Sequence, residues 1–380
     1  MLIKNGLVFT DSFLFEKKNI LISEDKIFGF EEPHLLSSDS SADSYDASDC
    51  YVIPGLTDIH FHGCMGYDFC DGTDKALEAI TTYQLSQGIT TICPATMTLP
   101  EETLIKICEH AASYVPKHPG ATLCGINLEG PFLSYAKKGA QNPAYLRCPD
   151  QDMLSRLLEA SNQLIKLVAI APEEAGAYEC ISAFKDQVAF SIAHTTADYD
   201  TSLKAFEAGA THVTHLYNAM PAFSHRAPGV IGAAFDTPDC MVELICDGIH
   251  IHPSVIRSTF KLFGDDRVIL VSDSMMACGM PSGTYSLGGQ AVTVDKNLAT
   301  LKDGTIAGSA THLMDCLRTA IHMGIPMESA IKAATLNPAR AIGIHQTYGS
   351  ITPGKIAHLV ILRKDLSIKD IFFGGMLLKQ

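Results

Sequence analysis

Two imidazoles one residue apart, His60 and His62 in Asp58-Ile59-His60-Phe61-His62, have the spacing of a metal-binding pair. In an extended strand, residues i and i+2 share a face, so both rings project together and suit a divalent cation. Glu129, in Asn127-Leu128-Glu129-Gly130-Pro131, lies among apolar neighbours where an uncompensated carboxylate is costly to bury. Coordination of a metal, or a bridge between two, offsets that cost; the plainer alternative is an ion pair with Lys137 or Lys138. His194 and His215 close two successive apolar runs at equivalent positions, which points to ligands, whereas His212 reads as structural. Asp273 follows the apolar stretch RVILVS. Its expected role is general base and further metal ligand, taking a proton from metal-activated water and returning it to the leaving group. The alternative for Asp273 is a helix N-cap.

These residues need a scaffold that gathers them. Eight strand-like runs recur: Cys50–His60, Gly88–Thr96, Ala121–Gly130, Leu164–Glu173, Gln187–Thr196, Ala210–Ala219, Met241–His250 and Arg267–Ser274. Helical intervals such as Asp74–Gln87 and Asp150–Asn162 separate them, the pattern of parallel strands with crossover helices. An open doubly wound sheet shows the same alternation. The polar residues favour closure, because His60, Glu129, His194, His215, His250 and Asp273 all fall at or past C-terminal strand ends, where a (β/α)8 barrel builds its active site. In an open sheet the first and last runs would be far apart. The fold class expected is therefore α/β, a (β/α)8 TIM-like barrel over residues 53–349. Strand-and-turn patterns at both ends, residues 1–52 and 350–380, predict a small β-sandwich domain assembled from the two termini, with a polar Ser/Asp-rich loop from Ser37 to Asp49. Gly283–Gly304 reads as strands and turns inserted after the eighth run, a lid or surface hairpin.

Composition narrows the partners. A net charge of −14 over 380 residues, with no lysine-arginine run, excludes a nucleic-acid face. An anionic ligand would have to be met by local cations. The 12 cysteines are scattered without a C-x-x-C pair, the reading of free thiols in a reducing compartment. The opening MLIKNGLVFTDSF lacks an apolar stretch of signal length, and no run of about 18 apolar residues predicts a membrane span. A cytoplasmic protein with no membrane partner is expected.

The motif Pro54-Gly55-Leu56-Thr57-Asp58-Ile59-His60-Phe61-His62-Gly63 resembles the opening signature of the amidohydrolase superfamily. Asn127-Leu128-Glu129-Gly130-Pro131-Phe132, His215-Leu216-Tyr217-Asn218-Ala219-Met220, Asp247-Gly248-Ile249-His250 and Ser272-Asp273 narrow the resemblance to its amino-sugar-phosphate deacetylases, nearly end to end. That resemblance implies hydrolysis of N-acetyl-D-glucosamine 6-phosphate to D-glucosamine 6-phosphate and acetate, with one or two divalent cations (zinc, iron, manganese or cobalt) and a homodimer. It implies that Glu129, His194 and His215 hold the principal metal and that Asn218 and Ala219 offer backbone N–H groups to phosphate. Arg226 would add positive charge, in some members across a dimer interface, and His250 would contact sugar or phosphate. Some members carry Gln at the position of His60 and hold one metal; the complete pair here implies a second. This chain departs from the family at Gln141, where a histidine usually stands beside the scissile amide. Gln can donate a hydrogen bond but carries no charge, so Gln141 is expected to orient substrate while a second ion shares the electrophilic role. Other specificities within the superfamily are the competing readings: a galactosamine-6-phosphate deacetylase, an N-acyl amino acid hydrolase or a cyclic amidase. Glu129, in place of a carbamylated lysine, disfavours the last. A catalytically silent sugar-phosphate sensor is opposed by the full ligand set.

Overall fold

The computed structural model describes residues 1–31 and 43–378. Its centre is a ring of eight short parallel strands: β1 (Leu56–Asp58), β2 (Ile89–Ile92), β3 (Ile126–Leu128), β4 (Ile165–Ile170), β5 (Ala189–Ile192), β6 (His212–Val213), β7 (Met241–Ile245) and β8 (Val268–Val271). Strands β3 to β8 form one continuous parallel sheet, and β1 pairs β2. The two pieces meet where Ala95 bridges Asn127 beyond β2. Closure between β8 and β1 is made just past the strand ends: Asp273 N–H donates to the His60 carbonyl at 2.9 Å, and His62 N–H to the Ser274 carbonyl at 2.7 Å. The Ser272 hydroxyl also donates to Asp58 Oδ2 at 2.6 Å. The ring therefore closes, and His60 and Asp273 become neighbours.

Strand sequence explains the two layers. Along β8, Val268 and Leu270 pack outward with the helices, while Ile269 and Val271 point inward with Ile59, Cys93, Leu167 and Ile245. The expected crossover helices form at Asp74–Ser86 and Gln151–Ala160. Asp150 caps the second by accepting from Met153 N–H at 3.0 Å, and its apolar stripe buries Met153, Leu154, Leu157 and Leu158.

The strands of both termini come together in one mixed sheet of eight, with its own core of Ile3, Val8, Ile20, Val52, Leu359, Ile361 and Phe372. Here the run Cys50–His60, read from sequence as one strand, is divided. Tyr51–Pro54 belongs to the terminal sheet, paired with Leu359–Leu362, and the barrel begins only at Leu56. The bend falls at Gly55, where a Cβ would stand 2.1 Å from the Thr90 hydroxyl; only glycine fits between the two sheets. Residues 37–42 of the polar loop lie outside the described residues, and its later part includes a short strand, Ser44–Asp46, parallel to Leu2–Phe9. The insert forms three antiparallel strands, Gly283–Leu287, Gln290–Asp295 and Leu298–Thr300. It is more than a surface hairpin, since Leu287 and Val292 pack against Met97 and Met275. All 12 cysteines are free thiols, and among the described residues no helix is long and apolar enough to cross a membrane.

Candidate metal centre and active site

His60, His62, Glu129, His194, His215 and Asp273 meet at the C-terminal end of the barrel, and all but the fully buried His60 line a 390 Å³ cavity. His60 and His62 lie beyond the last paired residue of β1, so strand alternation is not what aligns them. The closure hydrogen bonds to Asp273 and Ser274 do so instead. Three site residues, His194 (φ 43°), His215 (φ 28°) and Asp273 (φ 47°), hold left-handed backbone conformations. Such conformations cost about 1–3 kcal/mol each in non-glycine residues and persist where surrounding structure fixes them.

Glu129 is the hub. Its Oε1 lies 3.1 Å from His194 Nε2, 3.2 Å from His215 Nε2 and 3.5 Å from His60 Nε2. Its Oε2 lies 3.2 Å from His62 Nε2. Asp273 Oδ1 faces His62 Nε2 at 3.5 Å and His60 Nε2 at 3.7 Å. Lys137 and Lys138 do not pair with Glu129: their ammonium groups reach the carbonyls of Met220 and Gly139. Nor does Asp273 cap a helix, since turn follows it.

The hydrogen bonds show what the cluster fits. His194 Nδ1 lies 2.8 Å from the Lys137 carbonyl, which can only accept, so Nδ1 carries the proton and the neutral ring turns a bare Nε2 inward. That nitrogen meets His215 Nε2 at 3.1 Å, with Glu129 Oε1 beside both. One proton on His215 Nε2 can be aimed at His194 Nε2 or at Glu129 Oε1 and leaves the other unmet; with both nitrogens bare, lone pairs face each other, and with both protonated, N–H groups do. His60 Nε2 is likewise buried without a hydrogen-bond partner among the described residues. A divalent cation among these atoms resolves each conflict, and the imidazole-carboxylate set is what such a cation prefers. Glu129, His194 and His215 form one candidate triad; His60, His62 and Glu129 form a second that shares the carboxylate.

Charge follows the same logic. Burial disfavours a charged His62, yet Asp273 and Glu129 outweigh it and raise the ring to about 10 in the absence of a cation. Burial also opposes ionisation of Glu129 and Asp273, but the surrounding histidines hold both carboxyls below their ordinary range. Asp273 is thus an anion able to accept a proton. His250, past the end of β7, donates Nδ1–H to Asp247 Oδ2 at 2.7 Å and lines the cavity.

Residues 51–378 match the family model described as Amidohydrolase family. The chain belongs to the amidohydrolase family. Among its relatives is the N-acetylglucosamine-6-phosphate deacetylase of Bacillus subtilis (strain 168), 35% identical over 97% of this chain and 94% of that protein. The N-acetylgalactosamine-6-phosphate deacetylase of Escherichia coli O157:H7 is 33% identical over 86% and 87%. The fold of this amidohydrolase superimposes on a mutant N-acetyl-D-glucosamine-6-phosphate deacetylase from Mycobacterium smegmatis, solved with N-acetyl-D-glucosamine 6-phosphate, with a TM-score of 0.92, 32% identity and coverage of 99% and 98%. The Pasteurella multocida deacetylase gives a TM-score of 0.93 at 28% identity, covering 100% and 99%.

Not every expected contact of this amidohydrolase falls where the sequence put it. Gln141 lines the cavity, but its amide is engaged: Nε2 donates to Glu129 Oε2 at 2.9 Å and Oε1 accepts from Thr98 N–H at 2.7 Å. It steadies the hub carboxylate. Asn218 and Ala219 line the cavity, yet Asn218 N–H already donates to the His215 carbonyl at 2.9 Å. Ala219 N–H has no partner among the described residues. Arg226 is not among the cavity-lining residues; it stands exposed on the loop following β6, where Ser224 and Ala227 exchange backbone hydrogen bonds. Two buried carboxylates were missed. Asp58 accepts from Ser272 at the barrel seam, and burial pushes it up to about 7. Glu243 on β7 lies behind His60. The signal for it was present, an acidic residue inside the apolar run Met241-Val242-Glu243-Leu244-Ile245.

Because the carboxylates keep His62 protonated in the cation-free protein, cation binding must expel that proton. Zinc affinity should fall about tenfold per pH unit, for each proton released, as pH drops from 8 to 6. Calorimetric titration in buffers of different ionisation enthalpy measures the released protons directly, and a pH-independent affinity would contradict the assignment.

Proposed function

We propose that this amidohydrolase hydrolyses the acetamide of N-acetyl-D-glucosamine 6-phosphate, giving D-glucosamine 6-phosphate and acetate. The observation that carries the reading is the group of inward imidazole nitrogens around Glu129, set in the cavity wall with an ionised Asp273 beside them. A bound divalent cation supplies a Lewis acid that acidifies water and draws charge from an amide carbonyl. Glu129, His194 and His215 would hold the principal ion, and His60 and His62, sharing Glu129, a second. Zinc, iron, manganese and cobalt all suit such donors.

Asp273 accepts the proton of the attacking water and returns it to the amine nitrogen as the C–N bond breaks, one carboxylate serving both transfers in turn. Gln141, by holding Glu129 Oε2, keeps the hub aligned. His250, oriented by Asp247, offers its other ring nitrogen to the sugar phosphate. The insert strands, with Leu287 on the cavity wall and Gln290 donating to the Ala140 carbonyl, shield the site from water.

The phosphate must be bound against a net charge of −14. Lys137 and Lys138 line the cavity, and Ala219 N–H adds a donor. Arg226, exposed and outside the lining of its own cavity, is suited to reach the cavity of a second copy in a homodimer, where its planar fork would match phosphate. A second reading, the galactosamine epimer as substrate, has the support of the Escherichia coli O157:H7 relative.

Acetate release from N-acetylglucosamine and N-acetylgalactosamine, each with and without the 6-phosphate, tests the proposal. The phosphorylated glucosamine epimer should be the best substrate by kcat/KM. Preference for the galactosamine epimer moves the assignment to the second reading, and indifference to phosphate refutes both. Asp273→Asn should retain the fold and bound cation yet lose kcat by several orders of magnitude, because an amide of the same shape cannot take the proton. A loss smaller than tenfold, about 1.4 kcal/mol of barrier, removes Asp273 from the mechanism. For Arg226→Ala, KM should rise about tenfold or more for the phosphorylated sugar and change little for the unphosphorylated one. Mixing Arg226→Ala with Asp273→Asn chains should restore part of the activity if the arginine acts across a dimer; equal losses on both sugars would refute the phosphate role.

A further inference from the structure

Inward positions of a barrel are normally filled by branched apolar side chains. Along β7 the outward residues are Val242 and Leu244, while Ile245 packs inward with Ile269 and Val271. Alternation therefore puts Glu243 inside the barrel, fully buried, beneath the candidate ligands. A buried carboxylate is costly unless its charge and lone pairs are met. Among the described residues no lysine or arginine meets this one. Instead, Glu243 Oε2 accepts from His60 Nδ1 at 2.8 Å and from His215 N–H at 3.0 Å, and Oε1 accepts from His212 Nε2 at 3.0 Å.

Each contact bears on the cation site. A carboxylate on Nδ1 fixes the tautomer of His60, so that the partnerless Nε2 presents a lone pair toward Glu129 and Asp273. Carboxylates behind ligating histidines also raise ring basicity, and their loss commonly costs 10–100-fold in metal affinity. The contact to His215 N–H ties the same carboxylate to a residue of the other triad, and His212 braces its far oxygen.

We propose that Glu243, braced by His212, is a positioning residue that commits His60 to a second cation beside the one held by Glu129, His194 and His215. The inference rests on the reading that His60 and His62 hold an ion. It gives His212, read from the sequence as structural, a specific partner in Glu243. A glutamine at position 243 would serve poorly in either orientation. With its oxygen toward His60 it removes the negative charge behind the ring. With its NH2 toward His60 it turns the tautomer round and blocks Nε2 with a proton.

The test is a calorimetric zinc titration of metal-free wild type, Glu243→Gln and His60→Ala. Wild type should bind two equivalents. Glu243→Gln should keep the first with little change and bind the second 10–100-fold more weakly, approaching His60→Ala. If wild type binds two and Glu243→Gln binds both as tightly, the inference is overturned while the two-ion reading stands. Equal weakening of both ions would mean a merely structural carboxylate and also overturns it. A wild type that binds one ion overturns the two-ion reading and this inference with it. A measurement independent of the variant's folding is nitrogen NMR of 15N-histidine-labelled wild type loaded with zinc. The His60 ring should be protonated at Nδ1 and coordinated through Nε2; the reverse pattern contradicts the proposal.

Discussion

Glu129 presents both carboxylate oxygens to the inward imidazole nitrogens of His194, His215, His60 and His62, all of them buried with it at the barrel mouth. Burying such a group with its partners' lone pairs turned inward carries a penalty of several kcal/mol, and the arrangement is stable once positive charge enters the centre. Much of the surrounding structure serves that condition. The Lys137 carbonyl orients His194, Glu243 orients His60, and Gln141 holds the second oxygen of Glu129 itself.

Barrel closure is what makes the constellation possible. Residues 213 positions apart in the chain, His60 and Asp273, share a backbone hydrogen bond at the seam, and Asp58 with Ser272 reinforces it one layer below. The strands are short, so most ligands sit on the first residues after them. There the backbone is free to take the left-handed conformations seen at His194, His215 and Asp273. The ends of a rigid ring supply position, while the loops supply the unusual dihedral angles that aim each side chain.

Much of this was legible in the residues. Eight apolar runs, most of them with a His, Glu or Asp at or just past the C-terminal end, specify parallel strands whose ends converge, and the candidate ligand set is read from that pattern. The bend at Gly55 was not read, because Pro54-Gly55 sits inside one strand-like run and the close approach of Thr90 that demands glycine there is a tertiary contact. The place of Arg226 outside the cavity lining was hidden for a related reason: a loop residue's distance from the site is set by tertiary geometry and not by its type. The engagement of Gln141 with Glu129 depends on a contact across 12 residues of irregular backbone, which no periodicity encodes. Glu243 was the recoverable omission, since a carboxylate at an inward position of a strand requires a partner.

The central claim is that Glu129, His194 and His215 form a cation site. Anomalous diffraction at the zinc edge, from crystals grown with zinc, tests it most directly. A peak about 2.0–2.2 Å from Glu129 Oε1, His194 Nε2 and His215 Nε2 is the predicted result. Zinc bound only elsewhere on the surface, with those three atoms left facing one another or water, would contradict the account.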